Sequence, residues 1–392
     1  MKILYLSDVF FPRVNGVSTS IATFVAELHK LGHRIHVVAP AYGAGGAGGE
    51  DPVERIASWT VPFDPEDRLM SGRAILRRTA AFADEGFDLV HIQTPFVAHR
   101  VGIQLAERLG LPVVETYHTY FEEYLYHYVP FAPRGVMRAL ARRFSRSQCN
   151  RVDAVVVPSR AMEEALRGYG VETRMERIPT GLRPEDFRHG NGRAFREKHR
   201  IPDDRPTLVH IGRVAFEKNI DFLLRVLRRV ADQIPDVLLV IAGEGPAERS
   251  LMGLARRLDL VDNTLFVGYL DRGGELMDCY RAADAFLFAS RTETQGLVLL
   301  EAMALSLPVV STAVMGTRDI LEAGRGGLVA EDDEADFAEK VLRLLTQQEV
   351  RLKLRREARD YALGEWNAAT MAGRLLDLYS ELVERPRSLR AA

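Results

Sequence analysis

The sequence predicts two doubly wound α/β domains joined in series. Short apolar runs alternate with helical patterns, which is typical of parallel sheets that are covered by helices on both faces. This rhythm occurs twice, and a connection rich in proline, glycine and charge separates the two halves. The length of 392 residues also favours two domains, because it exceeds what a single hydrophobic core usually supports.

The first domain is predicted over residues 1–185, where near-continuous apolar runs indicate buried parallel strands. In chain order, these runs are KILYLS, HRIHVVAP, DLVHIQT, PVVETYH and DAVVVPS. An amphipathic helix is expected over residues 20–31, after the first strand. The glycine-rich stretch 41–52 lacks the lysine of a phosphate-binding loop, so a flexible connector is the favoured interpretation.

The second domain is predicted over residues 200–365 from a further set of apolar runs, which are TLVHIG, VLLVIAGEG, TLFVGYL, AFLFAS and PVVSTA. The connection between the domains is placed at residues 178–206. The last helical segment, about residues 366–392, could pack back on the first domain, although the pattern alone does not require it. Two such domains form a cleft, and sheets of this kind bind ligands beyond the carboxyl ends of their strands.

The composition restricts the classes of function. A net charge of −2 gives no global basic excess, so we expect no nucleic-acid partner. Cys149 and Cys279 are far apart and match neither a metal-ligand spacing nor a disulfide framework, which favours a reducing compartment. The sequence contains no apolar run long enough to span a membrane, and Asp8 interrupts the first run, which favours a strand over a signal peptide. We therefore expect a cytoplasmic protein.

Charged and glycine residues follow several predicted strands. HIGRVAFEKN places Arg213 and Lys218 after the first strand of the second domain, where two fixed cations could hold a diphosphate; solvated surface charge is the alternative. FFPRVNGVSTS places Gly16 at the start of the first helix, where the backbone either approaches a ligand or makes an ordinary turn. Each motif alone leaves both interpretations open.

The stretch RTETQGLVLLEAMA places Glu293 and Glu301 eight residues apart, around the predicted start of a helix. Such pairs also arise by chance in a chain of this length. Here, however, the loop follows the strand AFLFAS, and the unpaired first N–H groups of the helix attract phosphate. Carboxylates accept hydrogen bonds from hydroxyl pairs, so one nucleotide sugar could contact both glutamates and the helix between them.

The order GRVAFEKN, AGEGP, FVGYL and SRTETQGLVLLEAMA resembles the donor domain of retaining glycosyltransferases of family 4, and the likeness spans nearly the whole chain. It implies the GT-B fold, in which two Rossmann-like domains face each other across a cleft. It also implies roles in donor binding for nine residues, which are Glu293 at the sugar hydroxyls, Glu301 at the ribose, Arg213 and Lys218 at the diphosphate, the backbone amides of Thr294, Gln295 and Gly296, Gly16 facing the diphosphate, and His118 near the donor sugar. His118 alone is equally compatible with a structural histidine at a strand end.

The resemblance further implies transfer with retention, in which the departing phosphate oxygen takes the acceptor proton on the same face. No Asp-x-Asp occurs in the sequence, which favours stabilisation of the leaving group by Arg213, Lys218 and the helix over a divalent metal. We therefore expect no metal and no cofactor. Glu122 and Glu123 are candidates for orienting the acceptor, although a solvated loop is the favoured interpretation.

The stretch TYHTYFEEYLYHYVP resembles the acceptor region of enzymes that glucosylate diacylglycerol. The expected function is therefore transfer of a hexose, glucose from UDP-glucose, to a membrane lipid such as diacylglycerol. Alternatives are a mannosyl- or galactosyltransferase acting on another lipid or a polysaccharide precursor, and a sugar-nucleotide 2-epimerase of the same architecture. A non-catalytic nucleotide-sugar sensor is disfavoured, because every motif position is filled.

A local basic segment offers a route to that lipid. Residues 131–151 contain six arginines and no acidic residue. Read as a helix, this segment has a basic face and an apolar face, preceded by aromatic residues, and it thus resembles a helix that lies in a membrane interface. The basic face comprises Arg134, Arg138, Arg142 and Arg146, the apolar face Met137, Leu140 and Phe144, and the aromatic residues Tyr124, Tyr126, Tyr128 and Phe131. A core-packed helix with solvated arginines is the alternative. We expect peripheral association with the anionic inner face of the membrane.

Overall fold

The computed structural model describes residues 1–42, 53–61, 64–120, 122 and 134–384. The chain divides into two compact units: the first comprises residues 1–181 together with the chain from Ala368 onward, and the second comprises Leu182–Asn367. Within the described residues, no helix is both long and apolar enough to cross a membrane.

The strands of the first unit are β1 (Lys2–Leu6), β2 (Arg34–Pro40), β3 (Val53–Ile56), β4 (Ser58–Val61), β5 (Asp64–Met70), β6 (Leu89–Ile92), β7 (Val113–Thr116), β8 (Ala154–Val157) and β9 (Met175–Arg177). Its helices are α1 (Gly16–Lys30), α2 (Gly72–Leu76), α3 (Thr79–Glu85), α4 (Val97–Leu109), α5 (Arg134–Cys149), α6 (Arg160–Gly168) and the last helix, α15 (Ala368–Glu384). The main sheet has seven strands in the order β3-β2-β1-β6-β7-β8-β9, and all neighbours in it are parallel. The strands β4 and β5 form a separate antiparallel pair.

Helix α15 completes the core of the first unit. Its buried apolar face packs with α1, β1 and β2 in one hydrophobic cluster. Within that cluster the Tyr379 hydroxyl hydrogen-bonds the Tyr5 hydroxyl at 2.8 Å and also contacts His91 Nδ1. A buried hydroxyl or imidazole is costly unless it is hydrogen-bonded, so these contacts fix the register of α15 against β1 and β6.

The strands of the second unit are β10 (Thr207–Ile211), β11 (Leu238–Ala242), β12 (Thr264–Gly268), β13 (Ala285–Phe288), β14 (Val309–Ser311) and β15 (Gly327–Val329). Its helices are α7 (Gly192–His199), α8 (Ile220–Ala231), α9 (Glu248–Arg257), α10 (Glu275–Ala282), α11 (Leu297–Ala304), α12 (Gly316–Leu321), α13 (Glu334–Thr346) and α14 (Gln348–Glu365). The sheet is parallel throughout, in the order β12-β11-β10-β13-β14-β15.

Hydrophobic clusters cover both faces of this second sheet. Successive residues of a strand point to opposite faces, so in β10 Leu208 joins one cluster, whereas Val209 and Ile211 join the other. This arrangement explains the near-continuous apolar runs, because every position of the four inner strands β10, β11, β13 and β14 is buried. The predicted α/β fold with two parallel-sheet, Rossmann-like domains is confirmed.

Two details differ from the sequence-based expectation. The predicted connection contains helix α7, whose Phe195 is buried in the second unit, so this segment is part of that unit's core. The chain also enters and leaves the second unit at adjacent points, because Leu182 N donates to Trp366 O at 2.6 Å. Residues 43–52 of the predicted glycine-rich connector lie outside the described residues.

Candidate active site

The loops that follow β10, β11 and β12 pack backbone against backbone at the carboxyl end of the second sheet. Gly212 N donates to Ala242 O at 3.0 Å, and Gly243 N donates to Gly268 O at 2.7 Å. A Cβ atom at Gly243 would lie 1.9 Å from Gly212 O, and the φ of Gly243 is +126°, so a side chain is excluded there on both counts. The loop after β10 is therefore held tightly against its neighbours.

That loop carries the two predicted cations, Arg213 and Lys218. Lys218 ends a short 3-10 turn, and its Nζ forms an ion pair with Glu293 Oε1 from the loop after β13. Both side chains are about one-fifth exposed. Arg213 is exposed and forms no ion pair with any residue in the described parts of the chain. The structure thus brings Lys218 and Glu293 together and leaves the Arg213 guanidinium available.

The loop between Glu293 and α11 is shaped by its backbone. Gly296 precedes the helix with φ +93°, and a Cβ atom there would lie 2.7 Å from the Thr317 side chain. No side chain in the described ranges caps the first turn of α11. The N–H of Gly316 donates to Glu293 O at 2.9 Å and fixes this end of the loop. The positive end of the α11 dipole therefore opens close to Glu293.

Glu301 lies inside α11 and is almost fully buried, with 2% of its surface exposed. Its Oε1 pairs with the Arg272 guanidinium, and its Oε2 accepts a hydrogen bond from the Tyr280 hydroxyl at 3.1 Å. The charge of Glu301 raises the pKa of Arg272 above its ordinary value despite the desolvation of the guanidinium. Both oxygens of this carboxylate therefore have partners before any ligand arrives.

Sequence reasoning missed Arg272 and Tyr280. Arg272 follows β12, and its position beyond the carboxyl end of a predicted strand was a usable signal. Tyr280 lies on the buried face of α10, where an aromatic residue is normally a packing residue, so no pattern in the sequence distinguishes it.

Gly16 and His118 lie in the first unit, at the carboxyl side of its sheet. Gly16 begins α1, and a Cβ atom added there would meet no atom within 4 Å, so the fold itself does not require glycine at this position. The His118 ring follows β7, and its Nε2 donates to Gln93 Oε1 at 3.1 Å, because an amide oxygen can only accept. Burial lowers the pKa of His118 to about 4, so the ring is neutral at physiological pH.

Asp8 follows β1 at the same side of the first sheet. Its carboxylate accepts hydrogen bonds from Thr94 Oγ1 at 2.8 Å and from Ala98 N at 3.2 Å, in the first turn of α4. Burial raises the pKa of Asp8 to about 6, although these hydrogen bonds oppose the shift. The residue that ends the first apolar run is therefore a buried cap of α4.

Glu122 does not lie in a solvated loop, and that part of the sequence-based interpretation is wrong. Only 7% of Glu122 is exposed, and its carboxylate pairs with the Arg142 guanidinium of α5 and accepts from the Tyr120 hydroxyl at 3.2 Å. Burial pushes the pKa of Glu122 up, but the hydrogen bonds from Arg142 and Tyr169 outweigh it, and the pKa is lowered overall. Glu123 lies outside the described residues.

The predicted apolar face of α5 is only partly buried, and one arginine of its predicted basic face is paired. Met137 is buried, whereas Leu140 and Phe144 are 54% and 37% exposed and form a stripe with Val136, which is also 54% exposed. Arg138, Arg142 and Arg146 are exposed, but Arg142 is engaged with Glu122. The Arg134 side chain and the aromatic residues Tyr124, Tyr126, Tyr128 and Phe131 lie outside the described residues.

Comparison with known proteins assigns the chain to a family. The family model Glycosyltransferase Family 4 matches residues 14–186, and the model Glycosyl transferases group 1 matches residues 192–361. The alpha-monoglucosyldiacylglycerol synthase of Streptococcus pneumoniae is 33% identical over 79% of this chain and 71% of that protein. The chain belongs to the family 4 glycosyltransferases. The resemblance found in the sequence is thereby confirmed.

A second relative and a solved structure are also similar to this glycosyltransferase. The alpha-monoglucosyldiacylglycerol synthase of Acholeplasma laidlawii is 28% identical over 85% of this chain and 86% of that protein. Among solved structures, Anabaena HepE in complex with UDP-glucose superposes with a TM-score of 0.77 at 18% identity, covering 97% of this chain and 100% of that chain. At that identity the likeness establishes the GT-B fold alone.

Proposed function

We propose that this glycosyltransferase is a retaining enzyme that transfers glucose from UDP-glucose to a membrane lipid such as diacylglycerol. The observation that carries the proposal is a set of charges in the second unit: an exposed Arg213 on the loop after β10, the Lys218–Glu293 pair close to the start of α11, and the buried Glu301 inside α11. A nucleotide sugar presents hydroxyls, a diphosphate and a ribose in one molecule, and these groups match the cations and carboxylates of this set. The relatives named as glucosyldiacylglycerol synthases favour glucose and a lipid acceptor.

In this proposal, the Lys218–Glu293 ion pair separates when the donor binds. A diphosphate carries more negative charge than one carboxylate and attracts Lys218 toward itself, together with Arg213. The Glu293 oxygen that Lys218 contacts then becomes available to a sugar hydroxyl. In this proposal, donor binding exchanges one set of partners for another and leaves no buried charge unpaired.

In the proposed reaction, the bond between the sugar and the diphosphate breaks on the face where the acceptor hydroxyl attacks. The departing phosphate oxygen takes the acceptor proton, and Arg213, Lys218 and the α11 amides stabilise its charge. His118, which is neutral at physiological pH, serves as a hydrogen-bonding group beside the donor sugar and does not add positive charge. We propose that this transfer needs no metal ion.

The exposed face of α5 is proposed to contact the membrane. Val136, Leu140 and Phe144 recur every four residues and remain exposed, which is unusual for large apolar side chains in a row on a soluble surface. Arg143 and Arg146 lie beside them on the outward face of the same helix. Apolar residues flanked by arginines fit the boundary between anionic headgroups and acyl chains.

The phosphate contacts yield the first prediction. We expect Arg213→Ala and Lys218→Ala each to lower kcat by about 100- to 1,000-fold, which is the usual effect of losing one preorganised donor in the transition state. Steady-state kinetics with purified variants measure this change. Arg249→Ala, which removes an exposed arginine of α9, serves as the matched control and should retain full activity. Near-normal turnover in both test variants would contradict the assignment.

The two glutamates are expected to separate nucleotide binding from sugar handling. Glu301→Gln should weaken binding of free nucleotide, because the proposed contact is with the ribose. Glu293→Gln should bind free nucleotide nearly as well as the wild type but should transfer the sugar poorly. Titration calorimetry with UDP, alongside kinetics with the full donor, distinguishes the two effects. Equal nucleotide affinity in the wild type and Glu301→Gln would rule out the ribose contact.

The donor and acceptor are tested together. Purified enzyme is incubated with radiolabelled UDP-glucose, UDP-galactose or GDP-mannose and a total lipid extract, with and without a chelator. We expect a labelled lipid from UDP-glucose, in the α configuration by NMR and at an undiminished rate with the chelator. A labelled lipid formed from GDP-mannose would instead identify a mannosyltransferase. Conversion of the nucleotide sugar without lipid would instead identify an epimerase, and binding without turnover would identify a sensor.

The membrane contact is tested by vesicle sedimentation. We expect the wild type to bind anionic but not zwitterionic vesicles and to bind more weakly as salt rises, since each arginine near the surface contributes about 1 kcal/mol. The double variants Leu140→Ser with Phe144→Ser, and Arg143→Glu with Arg146→Glu, should both lose binding. Arg142 is left unchanged because it neutralises Glu122. The control is Leu352→Ser, at a leucine of α14 that is 47% exposed, and it should bind vesicles like the wild type. If both double variants also bind like the wild type, α5 does not form the membrane contact.

A further inference from the structure

We infer that Tyr280 and Arg272 are positioning residues that hold the Glu301 carboxylate ready for a pair of ribose hydroxyls. This inference rests on the proposed function, in which Glu301 contacts the ribose. It adds two side chains from other elements, one on α10 and one on the loop after β12. Neither side chain is required to touch the donor, because each acts through Glu301.

Glu301 needs such partners because of its location. It is the fifth residue of the eight-residue helix α11, so its backbone is already committed to the helix, and the surrounding residues of that helix pack in the core. A carboxylate that is 2% exposed loses most of its hydration, which is costly unless charged or polar donors replace the water. Two donors do so, one at each oxygen.

The Tyr280 hydroxyl fixes the inner oxygen of the carboxylate. Tyr280 is fully buried, and its ring lies against Phe286 with 5.8 Å between the ring centroids, so the side chain has little freedom. Its hydroxyl faces Glu301 Oε2 at 3.1 Å and the carbonyl oxygen of Val298 at 3.3 Å. Burial, reinforced by the charge of Glu301, raises the pKa of Tyr280 far above its ordinary value, so the hydroxyl keeps its proton and always donates.

Arg272 fixes the outer oxygen. Its side chain is 33% exposed while that of Glu301 is 3% exposed, so Arg272 marks the side from which solvent reaches the carboxylate. A ligand must therefore approach Glu301 beside the Arg272 guanidinium. Because Arg272 is partly exposed and its loop lies at the sheet edge, it can share Glu301 Oε1 with an incoming hydroxyl without leaving a buried charge behind.

The number of unoccupied acceptor positions on the Glu301 carboxylate equals the number of hydroxyls in a diol. A carboxylate offers about four lone-pair positions on its two oxygens. Tyr280 and Arg272 occupy one position on each oxygen, which leaves one further position on each. Two hydroxyls on adjacent ribose carbons can occupy these two positions, whereas a single hydroxyl can occupy only one. We therefore assign to this trio of residues the recognition of the intact diol.

The test compares nucleotides with and without the diol. Calorimetry measures the Kd of UDP and of 2′,3′-dideoxy-UDP for the wild type, Tyr280→Phe, Arg272→Gln and Arg272→Lys, and GDP with its dideoxy form is run in parallel. We expect the wild type to favour the intact nucleotide, and Tyr280→Phe and Arg272→Gln to lose about tenfold or more of affinity for it, as for a hydrogen bond to a charged group. Their affinity for the dideoxy form should change little. Arg272→Lys should recover part of the preference.

Matched controls come from the same unit. Tyr361→Phe removes the hydroxyl of another buried tyrosine, and Arg325→Gln breaks the exposed Arg325–Glu365 ion pair. Both controls should preserve the preference for the diol. Thermal unfolding verifies that every variant is folded at the temperature of the titration.

The outcomes separate this inference from the proposed function. If Tyr280→Phe and Arg272→Gln weaken both forms of the nucleotide equally, the two residues are merely structural and the inference is overturned. If the wild type itself does not distinguish the intact nucleotide from the dideoxy form, the ribose contact of Glu301 in the proposed function fails instead. If neither UDP nor GDP binds the wild type, the proposed donor is wrong and the inference falls with it.

Discussion

The site in the second unit depends on the close approach of backbones at the carboxyl end of a parallel sheet. Gly212 and Gly243 come so near that a single added methyl group would overlap a carbonyl oxygen, with 1.9 Å between the two atoms. The carboxyl ends of parallel strands all lie at the same end of the sheet, so the loops that follow them are crowded together. Glycine allows their backbones to pack in direct contact, and this packing fixes the loop of Arg213 and Lys218 relative to the neighbouring loops.

A second constraint is that three carboxylates with little solvent exposure form ion pairs before any ligand is present. Glu293 pairs with Lys218, Glu301 with Arg272, and Glu122 with Arg142, and in each case the two partners come from different elements. Leaving one such charge unpaired in the interior is strongly unfavourable. These pairs therefore order the segments that carry them, and in the proposed function Lys218, Glu293 and Glu301 are redirected to the donor without leaving a buried charge unpaired.

Much of this organisation is visible in the sequence, because it depends on local patterns. Apolar runs identified the parallel strands, and the sequence correctly placed Glu293 in the loop before a helix and Glu301 inside that helix. What the sequence did not show depends on contacts between distant residues. Tyr280 resembles an ordinary core residue, and Glu122 is buried by Arg142, which lies twenty positions away. The antiparallel pair β4 and β5 also escaped notice, because DPEDRLM is acidic and contains proline, both of which are unfavourable in strands.

The return of the last helix has a consequence for the order in which the protein is made. The ribosome completes every strand of the first unit before the second unit is synthesised, yet α15 emerges only after all of it. Until then, the apolar surface of α1 and the Tyr5 and His91 side chains lack the cover that Leu375 and Tyr379 provide. The core of the nascent first unit therefore stays open throughout synthesis of the second unit, and it closes only when α15 has left the ribosome.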